Sequence, residues 1–324
     1  MAVARLAALL LLLEAYATAF APSGANLACP GARQVLSAAE WRPTNAQRGQ
    51  AASATCSWKM GPKEGSVAVQ EGEHKLWYRL VRPMSVSSQK GRPLVVLHGG
   101  PQVPSDYLFP LTGVEYRSVL FYDQLGCGRS DAPGADAAEY SIASSVSDLE
   151  QVLAGVGVKD FHLLGQSWGG ILAYEFLRNG GPAALSCRSV ILANSPSSVP
   201  VVEAEAARLL EQAGGVDAFK AAHECRLPER PNALVDAYKH AGSVWRGSGA
   251  IAGWELDASA PKLSVPALVL RGEHDFVTET VAGGWAGAFE RCRTKVLDGC
   301  SHHALLEDTF EFLEVVDSFT GQYD

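Results

Sequence analysis

The 324-residue chain is 47% apolar and 19% charged, the composition of a folded protein with room for one large core or two modest ones, which excludes general disorder. Its formal charge of −8 comes without a Lys/Arg cluster, so phosphate backbones and anionic lipid are repelled and neither nucleic acid nor stable membrane insertion is expected. Only the first stretch runs the other way: residues 1–59 carry Arg5, Arg33, Arg42, Arg48 and Lys59 against Glu14 and Glu40, so the acidic character belongs to residues 60–324.

In chain order, residues 1–19 read as a signal peptide, with Arg5 ahead of an apolar run at 6–13 and the small residues Ala17 and Ala19 at cleavage spacing. That run is too short to span a bilayer. Residues 20–60 are rich in Ala, Ser and Arg, hold a single acidic residue, and show neither a helical nor a strand period, which is transit-peptide composition. The junction from Ala17 to Pro22 resembles the ASAFAP motif of algae with secondary plastids, so the expected compartment is a plastid, with secretion as the alternative.

From Ser66 onward, short apolar runs alternate with helix-period stretches, the signature of an α/β fold with a mostly parallel sheet covered on both faces. Residues 66–69 and 75–81 read as an opening pair of strands, and 93–97, 119–122, 161–164, 190–193, 267–270 and 295–297 as core strands. Apolar residues at three and four spacing predict helices over 144–153, 170–177 and 305–319. Between the sixth of these strands and the next, residues 195–263 lack strand patterns and are punctuated by Pro228, Pro231 and Pro261. This insert reads as a small helical cap over the carboxyl edge of the sheet, within a domain spanning 61–324.

Chemistry is suggested first by GQSWGG at 165–170. A GxSxG match alone is weak in a chain rich in Gly and Ser, but this one leads out of a predicted strand and into a predicted helix, the setting that holds a nucleophilic Ser167 in a sharp turn. A serine hydroxyl needs a base and an orienting carboxylate from later strands. Asp275 follows the strand at 267–270 and His302 follows the strand at 295–297, with Glu273 and His303 as the competing choices and His274 as a surface turn residue. Of the two N–H donors an oxyanion requires, Trp168 supplies one and the loop His98, Gly99, Gly100, Pro101 the other. His98 reads as a residue that stabilises that loop. Five cysteines beyond the leader, Cys127, Cys187, Cys225, Cys292 and Cys300, are odd in number and scattered, and form neither a disulfide framework nor a zinc pattern. Cys300, two residues from His302, reads as buried and inert. With no GxGxxG or Walker loop opening a helix, no cofactor is expected.

Taken together, HGGP at 98–101, FYDQLGCGRSD at 121–131, GQSWGG at 165–170, SSVP at 197–200, GEHD at 272–275 and CSHHALLED at 300–308 resemble the proline iminopeptidase family, closest to its archaeal tricorn-interacting aminopeptidase branch. The resemblance runs from Val67 to the carboxyl end. It implies an α/β-hydrolase fold, a triad of Ser167, Asp275 and His302, and N–H groups lent by Gly100 and Trp168. It also implies removal of an amino-terminal residue, often proline, from short peptides, or hydrolysis of amino-acid amides. Such enzymes meet the substrate ammonium with carboxylates of the cap, since a buried ammonium without a counter-charge is costly. Here the cap is short, Val244 stands about where one acid is expected, and Gln102 replaces the last Gly of the usual HGGPG. Glu203, Glu224, Asp236 and Glu255 are the possible substitutes, each also readable as a solvated helix-face charge. A small-molecule carboxylesterase is the second expectation, and a non-catalytic binding protein on the same fold the third.

Overall fold

The computed structural model describes residues 61–83 and 90–324. The expected signal and transit peptides, residues 1–60, lie outside the described residues. Eight strands form one sheet in the order β1-β2-β4-β3-β5-β6-β7-β8. β1 (Lys63–Val69) and β2 (His74–Val81) pair antiparallel, and β2 pairs antiparallel with β4 (Val119–Tyr122). β3 (Leu94–Leu97), β4, β5 (Phe161–Gln166), β6 (Cys187–Ala193), β7 (Ala267–Gly272) and β8 (Cys292–Leu297) run parallel to one another. Every strand expected from the sequence is present, with β1, β5, β6, β7 and β8 extended by two or three residues.

The longer helices are α1 (Ile142–Val156), α2 (Trp168–Asn179), α3 (Val199–Ala213), α4 (Asn232–Lys239) and α5 (Thr309–Thr320). The central strands are mostly apolar because both faces are covered. Val95, Leu97, Leu163, Val190, Leu192 and Val269 pack with Leu149 and Val152 of α1 and Ile171, Leu172 and Phe176 of α2. Their strand neighbours Leu94, Val96, Leu164, Ile191, Leu268 and Leu270 point the other way, onto Phe312, Val316 and Phe319 of α5 and Leu234 of α4.

Two local features depart from the sequence reading. The helix expected over 305–319 is broken into Ala304–Glu307 and α5, because Asp308 leaves helical geometry and its side chain caps α5 by accepting the Glu311 N–H at 2.9 Å. A 3-10 helix at Ser105–Gly113, unexpected because Pro110 interrupts its pattern, buries Tyr107, Leu108 and Leu111. Between β6 and β7 the chain is helical: α3, the short turns Val216–Phe219 and Lys220–Glu224, α4, and Gly247–Ala250. This insert starts from the carboxyl end of β6, the edge at which open α/β sheets bind ligands. Among the described residues, no helix is long and apolar enough to cross a membrane.

Candidate active site

Ser167 sits between β5 and α2 with φ 54° and ψ −119°, a conformation that costs a non-glycine residue about 1–3 kcal/mol and needs its surroundings to enforce it. Its N–H donates to the Ala193 carbonyl at 2.9 Å, and its carbonyl accepts the Gly170 N–H at 2.9 Å. The flanking glycines are steric requirements. A Cβ on Gly165 would lie 2.1 Å from the Gly169 oxygen, and one on Gly169 would lie 2.1 Å from the Leu97 oxygen. Without side chains there, β3, β5 and α2 close together and leave Ser167 at the wall of a cavity of about 200 Å³.

His302 lines the same cavity. Its Nδ1 donates to Asp275 Oδ1 at 2.9 Å, and Asp275 is buried. The same carboxylate oxygen accepts the Val277 N–H at 2.9 Å, while Oδ2 accepts from Asn194 Nδ2 at 2.7 Å. Asn194 also donates to the Ser301 carbonyl at 3.1 Å, so it joins the carboxylate to the loop that carries the imidazole. Phe276 covers the His302 ring, centroids 4.1 Å apart and planes 31° apart. From the other side, Gln166 Nε2 donates to the His302 carbonyl at 3.3 Å, and Tyr107 Oη donates to Gln166 Oε1 at 2.7 Å while accepting the Gly99 N–H at 2.8 Å. An imidazole fixed in this way, with its Nδ1 proton on a buried carboxylate, offers Nε2 as a base.

The competing residues lie elsewhere. Glu273 is exposed, accepts the Gly299 N–H at 2.9 Å, and stands 3.4 Å from His274 Nε2; the Gly299 bond holds its carboxyl below the usual range. His303 is buried beside His302, with Nε2 3.4 Å from Tyr238 Oη and its ring edge-on to Tyr107. Burial pushes its imidazole well below the usual histidine range, and its Nδ1 has no partner among the described residues. Cys300 is buried and its thiol is pushed up to about 12 by burial, which makes it a poor nucleophile.

Opposite the imidazole, His98 is enclosed at the end of β3. Its Nε2 accepts the Gln124 N–H at 2.8 Å and its Nδ1 lies 3.0 Å from the Gly99 oxygen, so both nitrogens are used in shaping the loop. Gln124 donates to the His98 carbonyl at 3.1 Å and accepts from the Trp168 indole at 2.8 Å. Asp123 accepts from Ser105 Oγ at 2.7 Å and from Arg129 Nη1 at 2.9 Å. The DQLGCGRSD segment therefore ties the His98 loop to the serine turn. Gly100, at φ 120°, and Trp168 both line the cavity beside Ser167, and among the described residues no backbone hydrogen bond takes either N–H. Gln102 proves to be a strut: it is buried, donates to the Leu125 carbonyl at 3.1 Å, and accepts the Trp245 N–H of the cap at 3.1 Å.

Of the cap acids, Glu203 lines the cavity. Glu224 corrects the reading as a solvated helix-face charge: it is buried in the cavity wall, paired with Arg230 and hydrogen-bonded by Tyr238 Oη at 3.1 Å. Burial pushes its carboxyl up and Arg230 opposes that shift. Asp236 and Glu255 are exposed, the first 3.3 Å from Lys239 Nζ and the second accepting from Ser198 Oγ at 2.8 Å. Val244 is 42% exposed and lies outside the cavity lining. Lys220 and Arg246 bring two cations to the cavity lining, beside the apolar Val199, Val202, Phe219 and Ile251. Among the described residues, no three His, Cys, Asp or Glu side chains converge as metal ligands.

Sequence reasoning missed Asn194, Tyr107, Tyr238 and Arg246. Gln166 stands inside a motif that gave it no role, and Gln102 registered only as a departure from HGGPG. Of these, Asn194 alone carries a local signal, as an Asn immediately after an apolar strand.

Comparison with known proteins identifies the family and the fold. The model of the alpha/beta hydrolase family matches residues 94–315. A proline iminopeptidase of Saccharolobus solfataricus is 30% identical over 299 residues, 79% of this chain and 94% of the relative. One from Lactobacillus delbrueckii subsp. bulgaricus is 30% identical over 271 residues, 72% of this chain and 90% of the relative. The crystal structure of the Mycobacterium smegmatis proline iminopeptidase superposes with a TM-score of 0.70 at 26% identity, covering 81% of this chain and 98% of that one. An esterase from Exiguobacterium antarcticum, 22% identical with a TM-score of 0.59 over 79% of this chain and 98% of its own, shares the fold. The chain belongs to the alpha/beta hydrolase family, in its proline iminopeptidase group.

Proposed function

We propose that this hydrolase removes the amino-terminal residue from short peptides, or cleaves amino-acid amides, through an acyl-enzyme on Ser167. The observation that carries the reading is the opening of a strained Ser167 and a carboxylate-held His302 onto one cavity. His302 Nε2 takes the Ser167 proton as Oγ attacks the substrate carbonyl, and the Gly100 and Trp168 N–H groups receive the oxyanion. His302 then protonates the departing amine, and water, deprotonated by the same imidazole, releases the amino acid. Asp275 keeps the imidazole in the required tautomer and offsets its charge. Glu203 meets the substrate ammonium from α3, where a carboxylate supplies the counter-charge that a buried ammonium requires.

The test is covalent labelling of Ser167 by a fluorophosphonate, combined with a panel of aminoacyl arylamides with free and blocked amines. Labelling with fast cleavage of the free-amine compounds is expected. Equal rates on blocked and free amines would remove the exopeptidase reading. Turnover confined to aryl esters would support the second reading, a small-molecule carboxylesterase, which the apolar stretch Val199, Val202, Phe219 and Ile251 favours. For residues 1–60 we propose a bipartite plastid leader; a fluorescent reporter carrying them that is exported instead would favour secretion.

A further inference from the structure

We propose that Gln102 is a positioning residue through which the cap holds the oxyanion donors in place, so that docking of residues 240–245 sets the rate of the chemical step and not the strength of substrate binding. The inference rests on the acyl-enzyme mechanism at Ser167, in which the Gly100 and Trp168 N–H groups receive the oxyanion, and applies to an amide or an ester substrate alike. Gly100 and Gln102 share one tight turn. The Val103 N–H closes it on the Gly99 carbonyl at 3.2 Å, and a Cβ on Gly100 would lie 2.6 Å from the Gln102 nitrogen, so neither residue shifts without moving the other. Gln102 is buried at φ 64°, in the left-handed region that favours glycine, where another residue stays only if its surroundings hold it. Three hydrogen bonds do so. Its Nε2 donates to the Leu125 carbonyl at 3.1 Å, its Oε1 accepts the Trp245 N–H at 3.1 Å, and its own carbonyl accepts the Gly242 N–H at 2.9 Å. The side chain threads between two glycines that leave it room, since a Cβ on Gly126 or on Gly242 would collide with its amide.

The second donor is tied to the same stretch of cap. The Trp245 indole meets Trp168 edge-on at 5.2 Å, and Trp168 Nε1 donates at 2.8 Å to Gln124, the residue before Leu125. One further bond, from the Gly128 N–H to the His240 carbonyl at 3.1 Å, fastens residues 240–245 to the loop that carries Gln124 and Leu125. The chain then runs directly into Arg246, Gly247 and Ser248 of the cavity wall. Cap, Gly100 and Trp168 therefore form one connected unit, with Gln102 as its only side chain bonded to both cap and core loop among the residues named. Donors of this kind act on charge that develops in the transition state, so an error in their aim lowers kcat and leaves ground-state binding in place. A strut that only stabilised the fold would lower the melting temperature and leave the kinetic constants of the folded enzyme unchanged.

The experiment compares three variants of the full chain. Gln102→Met keeps the bulk of the side chain and loses both of its hydrogen bonds, Gly242→Ala crowds the strut from the cap side, and the third combines the two. The substrates are an alanyl arylamide and an aryl acetate, and the rate of Ser167 labelling by a fluorophosphonate is followed in parallel. On whichever substrate the unaltered protein cleaves, each single variant should lower kcat by about tenfold or more, with KM within about threefold. Labelling should slow by a similar factor, because the phosphonyl oxygen enters the same oxyanion site. The double variant should lie within about twofold of the slower single one, as two changes that break one linkage do. Should Gln102→Met fold poorly, Gln102→Gly, which is free of strain at φ 64°, carries the same expectation. An unchanged kcat and labelling rate in the folded Gln102 variant overturns the inference, as does a loss carried by KM alone or losses that multiply in the double variant. Labelling with turnover of the ester alone removes the aminopeptidase reading, and the ester constants then decide the role of Gln102. Neither labelling nor turnover by the unaltered protein overturns both.

Discussion

Asn194 offers the sharpest test of how the site is held. Its side-chain amide donates to Asp275 Oδ2 at 2.7 Å and to the Ser301 carbonyl at 3.1 Å, and its own backbone has φ 51°. Asn194→Ala therefore removes two hydrogen bonds and also leaves in the left-handed region a residue that tolerates it less well than Asn, a strain of up to about 1–2 kcal/mol. Asn194→Gly removes the same bonds without that strain. A hydrogen bond to a buried carboxylate is worth about 1.5–3 kcal/mol, which corresponds to about 10- to 100-fold in rate if it acts in the transition state. It should act there, because Asp275 is needed most when His302 carries the transferred proton. Steady-state hydrolysis of an alanyl arylamide should show kcat reduced by that factor in both variants, with KM within about threefold. If strain alone mattered, only the alanine variant would lose activity. A glycine variant with kcat within about twofold of the unaltered protein would refute the reasoning.

Four other outcomes are set by the geometry. His302→Ala should lower kcat by about 10³-fold or more and His303→Gln by no more than about tenfold, since only His302 is held by a carboxylate; the reverse order in kcat would transfer the role to His303. Gly169→Ala should abolish soluble folded protein, because the added methyl meets the Leu97 backbone at 2.1 Å; a soluble variant with an unchanged thermal midpoint contradicts that. Glu203→Gln should raise KM for free-amine arylamides at least tenfold and erase their preference over blocked ones, a ratio read directly from the substrate panel. Asp148, buried on α1 with Oδ1 unpartnered among the described residues, has its carboxyl pushed from 3.8 up to about 7 by burial. The folded state thus keeps a proton that the unfolded chain releases, so stability is highest below about pH 4 and is lost as pH rises toward 7. The loss has an upper bound of about 4 kcal/mol. Asp148→Asn should therefore melt several degrees higher than the unaltered protein at pH 8 and match it near pH 4; a difference independent of pH would dismiss the explanation.

The parts of this molecule legible in the sequence are those whose physics is local. Buried central strands show as apolar runs and the half-exposed β1, β2 and β8 as shorter β-branched or alternating stretches, so all eight can be placed, and Ser167, Asp275 and His302 can be chosen because each follows a strand. Trp168 and Gly100 need only their position beside Ser167 and after β3. Local rules fail where a side chain answers to a distant partner. Helical periodicity marks Glu224 as a polar position, and nothing in that pattern distinguishes a face turned to solvent from one turned to a cavity; its burial is made tolerable by Arg230 and Tyr238, whose roles appear only once the cap is folded. Gln102 has the look of a lost glycine, yet it spans from the His98 loop to Trp245, 143 residues away. Asn194 reaches Asp275 across 81 residues. These polar struts share a physical origin: each satisfies a buried group that the sheet topology creates, so its partner is set by strand order and not by spacing. Asp308 is a different case, because its Asp-to-Glu spacing is a local helix-start signal that the continuous apolar period around it conceals. For this fold, the chemistry can therefore be read from residues that follow strands, while the choice of substrate resides in contacts between cap and sheet that exist only in three dimensions.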